Sequence, residues 1–148
     1  MTATELPAPR FNHVAMSVPS TLLEAAGREE LTAFYADVFG WQELPTETVD
    51  GQKLVFGVHT VEQFVFLIAD DPPMTCLRLD HYGLSVETEA ELDAVLAKAK
   101  AWQARDDRVD IVDKKTDDHG MLAITSIYVR YLLPMMVEIQ WWDWKGSK

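Results

Sequence analysis

Phe11-Asn12-His13-Val14-Ala15-Met16-Ser17-Val18 and Leu79-Asp80-His81-Tyr82-Gly83-Leu84-Ser85-Val86 are two versions of one pattern, 68 residues apart. Three of the eight positions are identical (His, Ser and Val), and most of the rest keep their character. Both end in apolar, strand-compatible residues, so each predicts a β-strand. A helix signal follows each one. Leu31, Phe34, Tyr35 and Val38 recur at i, i+3, i+4 and i+7, as do Leu92, Val95, Leu96 and Ala99, which is one buried face of an amphipathic helix. Thr88 and Glu91 are spaced as a capping box for the second helix. Trp41 and Trp102 stand just after the two helices, and residues 19–30 read as a longer loop in the first half.

Three strand-like runs complete each half, at 43–49, 53–59 and 62–69, then at 108–114, 122–131 and 135–142. Asp50-Gly51 reads as a hairpin turn. Val55-Phe56 aligns with Ile127-Tyr128, and Phe66 with Glu138, at an offset of 72. Asp70-Asp71-Pro72-Pro73 reads as the connection between halves. The order predicts an α+β fold in which two βαβββ modules, about 10–71 and 76–144, form a curved mixed sheet around a cleft within a single domain spanning 1–148.

Composition bounds the function. The chain has 148 residues, is 48% hydrophobic and carries a formal charge of −11. Its length suits one domain with a real core. Its basic residues are scattered, with no stripe for a phosphate backbone, which argues against nucleic acid. A single cysteine, Cys76, excludes a disulfide framework. No apolar run approaches the ~20 residues needed to span a bilayer, and the opening MTATELPAPR has neither the basic nor the apolar region of a secretory leader. A cytoplasmic location is expected.

Of the four histidines, His13 and His81 occupy the same position in the two repeats. Pseudo-twofold symmetry brings such positions together. Glu138 lies in the apolar run Met135-Met136-Val137-Glu138-Ile139-Gln140-Trp141, where an unpaired carboxylate is costly to bury and a divalent cation would offset that cost. Two imidazoles and one carboxylate are the ligand set of the facial triad, which favours Fe(II) and leaves positions open.

With these residues, the chain resembles the vicinal oxygen chelate superfamily, which includes glyoxalase I, bleomycin-resistance proteins, methylmalonyl-CoA epimerases and extradiol dioxygenases. The resemblance rests on the paired FNHVAMSV and LDHYGLSV strands, the helix ending Val38-Phe39-Gly40-Trp41, and the closing MMVEIQWW. It implies metal ligands His13, His81 and Glu138; Phe66 stands where glyoxalase I has a fourth ligand. The spacing His119, Ile127-Tyr128, Pro134, Glu138 is similar to the extradiol dioxygenase signature, with Asp117, Tyr131 and Leu132 departing from it.

The resemblance then implies an Fe(II) ring-cleaving dioxygenase acting on a catechol-like small molecule. His119 would be its acid–base group, Tyr128 a hydrogen-bond donor to bound oxygen, and His59 an oxygen-handling residue. Mn(II), Zn(II) or Ni(II) in the same ligands would support instead an isomerase or lyase working through an enediolate. A bleomycin-resistance-type protein would bind its ligand between aromatic walls without chemistry. The aromatic Trp141-Trp142-Asp143-Trp144 end is expected to cover part of the sheet or to meet a second subunit of a homodimer.

Overall fold

The computed structural model describes residues 6–146; the first half of the N-terminal segment read against a leader, residues 1–5, lies outside the described residues. Module 1 contains β1 (His13–Val18), α1 (Ala25–Phe39), β2 (Gln42–Glu43), β3 (Lys53–Gly57) and β4 (Phe64–Ala69). Module 2 contains β5 (His81–Val86), α2 (Glu89–Gln103), β6 (Val109–Asp118), β7 (Leu122–Tyr131) and β8 (Met136–Trp144). Each module is a four-stranded mixed sheet, ordered β1-β4-β3-β2 and β5-β8-β7-β6. β1 runs parallel to β4 and β5 parallel to β8, and the other pairs are antiparallel. The two repeated segments are therefore equivalent edge strands.

The helices form as their periodicity predicts. Leu31, Phe34, Tyr35 and Val38 are buried on α1, and Leu92, Leu96 and Ala99 on α2. Thr88 accepts from the Glu91 backbone N–H, and the Glu91 carboxylate accepts from the Thr88 backbone N–H, so the capping box is present. Gly40 ends α1 in the left-handed region at φ 72°, which costs glycine little.

Three local expectations are corrected. The expected loop 19–30 holds a short 3₁₀ turn, Ser20–Leu22, and α1 already begins at Ala25. Gly27, which reads as a loop residue, is instead a packing requirement: a Cβ there would lie 2.5 Å from the Thr21 carbonyl oxygen. The expected strand 43–49 shrinks to Gln42–Glu43, because Pro45 starts a 3₁₀ turn over Pro45–Glu47. The alignment of the third strands shifts by one residue. Val55 lies opposite Phe66 and Tyr128 opposite Glu138, so Val55, not Phe56, is the counterpart of Tyr128. A slip of one residue reverses the face, so this decides which side chains share the site.

The modules share one core. Phe34 of α1 packs on Trp102 and Tyr131, with ring centroids 5.4 and 4.6 Å away. Tyr35 donates its hydroxyl hydrogen to the Tyr131 carbonyl (2.9 Å) and accepts from the Tyr131 N–H (3.2 Å). Around it, Arg108 donates to Glu30 (2.7 Å), Asp106 (2.8 Å) and the Tyr131 hydroxyl (2.9 Å). These contacts tie module 1 to module 2 on the helical side, leaving the opposite sheet faces free to carry chemistry.

Candidate functional site

Strand alternation selects the side chains of the open face of module 2. Along β7, Ala123, Thr125, Ile127, Val129 and Tyr131 are buried, while Ser126, Tyr128 and Arg130 turn to the other side. Residues directly opposite share a face, so Tyr128, Glu138 and Gly83 form one row across β7, β8 and β5. His81 begins the neighbouring row, opposite Met136.

His81 and Glu138 meet. The His81 Nε2 lies 3.3 Å from Glu138 Oε2. Nδ1 of the same ring donates to the Leu79 carbonyl at 2.7 Å, so in the neutral ring the Nε2 lone pair faces the carboxylate side. Glu138 is 6% exposed and takes a donor from its own face. Gln140 Nε2 donates to Oε1 at 2.9 Å, and Tyr128 stands directly opposite the carboxylate on β7. Burial raises the Tyr128 pKa to about 12, helped by the neighbouring Glu138 carboxylate and by the negative charge of Asp117. Tyr128 is therefore a neutral donor across the physiological range. Its ring meets the His81 imidazole edge-on, with centroids 5.0 Å apart. Gly83 opens the space in front: a Cβ there would approach Glu138 Oε2 to 3.6 Å.

His13 has the equivalent place on β1. Its ring stacks on Phe64, with centroids 4.6 Å apart and planes 5° apart. Nδ1 donates to Asn12 Oδ1 at 2.6 Å, so here too Nε2 is the open nitrogen. Between the unpaired edges of β1 and β5 lies a cleft of about 430 Å³, lined by His13, His59, Gln63, Phe64, Gly83 and Ser85 among others. That volume suits a small molecule. Gly83 borders both the cleft and the Glu138 carboxylate, which makes the two features neighbours.

The remaining sequence-predicted residues divide. His59 lies just past β3 in the β3–β4 turn, where it joins His13 on the cleft wall. His119 lies in the β6–β7 turn, its N–H donating to the Leu122 carbonyl at 2.8 Å. From there to Tyr128 the chain runs roughly 20 Å along β7, so the register does not bring His119 to the Tyr128–Glu138 row. Phe66 sits opposite Ala15 as Glu138 sits opposite Gly83, which makes it the counterpart of Glu138 with no ligating atom. Among the described residues, no three His, Cys, Asp or Glu side chains gather into one metal-holding group; His81 and Glu138 form a pair and His13 stands apart. The Trp141–Trp144 end is the second half of β8, paired along β7 from Thr125 to Leu122.

No family model and no curated protein matches the chain. Solved structures match it over nearly its full length. Lactoylglutathione lyase from Agrobacterium tumefaciens aligns with a TM-score of 0.63 at 18% identity, covering 91% of this chain and 95% of that one. The chain shares the fold of that lyase, two βαβββ modules each with a four-stranded mixed sheet. Two fosfomycin resistance proteins FosX share this glyoxalase-like fold. The Mesorhizobium loti protein has a TM-score of 0.59 at 12% identity, covering 91% and 92% of the two chains. The Listeria monocytogenes protein has 0.60 at 15%, covering 90% and 93%. Among the described residues no helix is long and apolar enough to cross a membrane.

Sequence reading missed the groups that orient the histidines and the carboxylate: Asn12, the Leu79 carbonyl, Gln140 and Trp142. Glu138, Gln140 and Trp142 alternate along β8, so strand periodicity alone carried a signal for the last two.

Proposed function

We propose that the chain is a divalent-metal enzyme that acts on a small molecule through two adjacent substrate oxygens, with His81 and Glu138, which meet, as two protein ligands and with His13, which stands apart from that pair within one chain, as a third supplied by a second copy. The observation that carries this reading is the His81–Glu138 contact: a tautomer-fixed imidazole nitrogen faces a carboxylate buried between apolar neighbours on β8. The donor set, neutral imidazole nitrogen plus carboxylate oxygen, suits Mn(II), Fe(II), Ni(II) or Zn(II). A bound ion would supply Lewis acidity, stabilising negative charge that develops on the chelating oxygens.

The chain's own residues do the rest. Gln140 holds the carboxylate at Oε1, with Oε2 on the His81 side. Tyr128 keeps its proton at Oη and offers it to an oxygen that gains charge. Phe64 and the cleft walls exclude water from one side of the ligand.

Isomerase or lyase chemistry, in which a proton moves at a carbon next to a carbonyl, is favoured over ring cleavage because His119 lies at the far turn. Ring cleavage with Fe(II) is the second reading, supported by Tyr128 standing directly opposite Glu138 as the dioxygenase spacing requires. A FosX variant from Listeria monocytogenes has been crystallised with Mn(II) and 1S,2S-dihydroxypropylphosphonic acid, which makes Mn(II) the first ion to test. The unpaired edges of β1 and β5 fit a homodimer in which a second copy meets one of them.

The test is to load the protein anaerobically with each ion. Solvent-deuterium exchange at the α-carbon of a 2-hydroxycarbonyl compound is followed by NMR, and oxygen uptake with a catechol by electrode. Metal-dependent exchange without oxygen uptake is expected. Oxygen uptake would select the second reading. Neither signal from a protein that holds metal would leave a ligand-binding protein.

A further inference from the structure

We propose that Trp142 and Gln140 form a positioning relay that holds the Glu138 carboxylate in the orientation that presents one oxygen to His81, and so sets the metal affinity of the site. The inference rests on the proposed role of His81 and Glu138 as ligands. Its basis is a continuous chain of hydrogen bonds along one face of β8. Glu138, Gln140 and Trp142 are at i, i+2 and i+4 and share that face.

A glutamine amide presents two ends of nearly equal shape, and only its partners decide which end points where. The Trp142 indole N–H is a donor only. It donates to Gln140 Oε1 at 2.8 Å, so Gln140 must turn Nε2 to the other side, where it donates to Glu138 Oε1 at 2.9 Å. Glu138 Oε2 is then the oxygen left for His81, at 3.3 Å. Without the indole N–H, the Gln140 amide loses the partner that anchors its oxygen end, so Nε2 is no longer held in place against Glu138 Oε1 and the carboxylate is free to turn away from His81. Trp142 is 46% exposed, so phenylalanine in its place removes the donor without opening the core.

The test measures Mn(II) affinity by EPR titration of the full chain, with thermal melts of every variant alongside. Wild type is expected to bind, and His81→Ala to lose binding. Trp142→Phe and Gln140→Met are each expected to weaken binding roughly tenfold, the scale of groups that orient metal ligands. The double variant is expected to be no weaker than Gln140→Met alone, because Trp142 acts only through Gln140. Wild-type affinity in Trp142→Phe would overturn the relay while leaving the metal site standing, and so would additive losses in the double variant. Absence of Mn(II) binding in wild type would overturn the metal site and the relay together.

Discussion

Replacing Tyr35 with phenylalanine removes one oxygen from the junction between the modules. That oxygen satisfies two backbone groups of one residue, the Tyr131 carbonyl at 2.9 Å and the Tyr131 N–H at 3.2 Å. Tyr35 is fully buried and Tyr131 is 1% exposed, so neither group has water to fall back on. The carbonyl keeps the Leu133 N–H at 2.8 Å, so the Tyr131 N–H is the group that loses its partner; a buried donor left unpaired costs about 2 kcal/mol. With a urea m-value of about 2 kcal/mol/M, the midpoint falls by roughly 1 M.

Tyr82 provides the contrast. Its hydroxyl is buried with no hydrogen-bond partner among the described residues. Tyr82→Phe therefore removes an unsatisfied group and is expected to be neutral or stabilising. Urea unfolding followed by far-UV circular dichroism compares the two. Equal midpoints for the two variants, or a loss below about 1 kcal/mol for Tyr35→Phe, would refute the reasoning that this bond pair joins the modules.

Other perturbations follow from local geometry. Thr88→Ala removes the acceptor for the Glu91 N–H and should cost about 1 kcal/mol, read from thermal unfolding. Gly27→Ala forces a methyl group against the Thr21–Leu22 backbone and should cost about 2 kcal/mol in the same assay. Asp106 is held well below the usual carboxylate range, first by its hydrogen bond from Arg108 and then by that from the Tyr131 hydroxyl. A lowered folded pKa gives stability that is present above about pH 4 and lost as pH falls below it. Asp106→Asn should therefore be less stable at pH 7 and show a flatter decline between about pH 4 and pH 2 in denaturant titrations.

The fold was legible because the repeat is written in side chains that repeat for physical reasons. The helical faces at Leu31–Val38 and Leu92–Ala99 are buried because each must cover a sheet, and the capping box forms because Thr88 and Glu91 satisfy otherwise open N–H groups. What misled was glycine and proline. Gly27 reads as loop but permits a close backbone approach, and Pro45 turns an apparent strand into a 3₁₀ turn. The equivalence of Phe66 with Glu138 could be read from spacing, whereas the one-residue shift of Val55 against Tyr128 could not, because strand register is fixed by pairing across the sheet. The site was legible as far as chemistry restricts residue type. A carboxylate between apolar neighbours and a histidine at each repeat position are conspicuous. Their contacts with Asn12, Leu79 and Gln140 depend on tertiary placement, as does the distance of His119 from Tyr128.

The central claim is that His81 and Glu138 together hold a divalent ion. Isothermal titration of the apo protein with Mn(II), alongside Glu138→Gln and His81→Ala, tests it most directly. The account predicts one Mn(II) per chain in wild type, and loss of that site in both variants even though each remains folded by circular dichroism. Binding of the same stoichiometry and affinity in all three proteins would place any metal elsewhere and contradict it, as would no binding to the wild type.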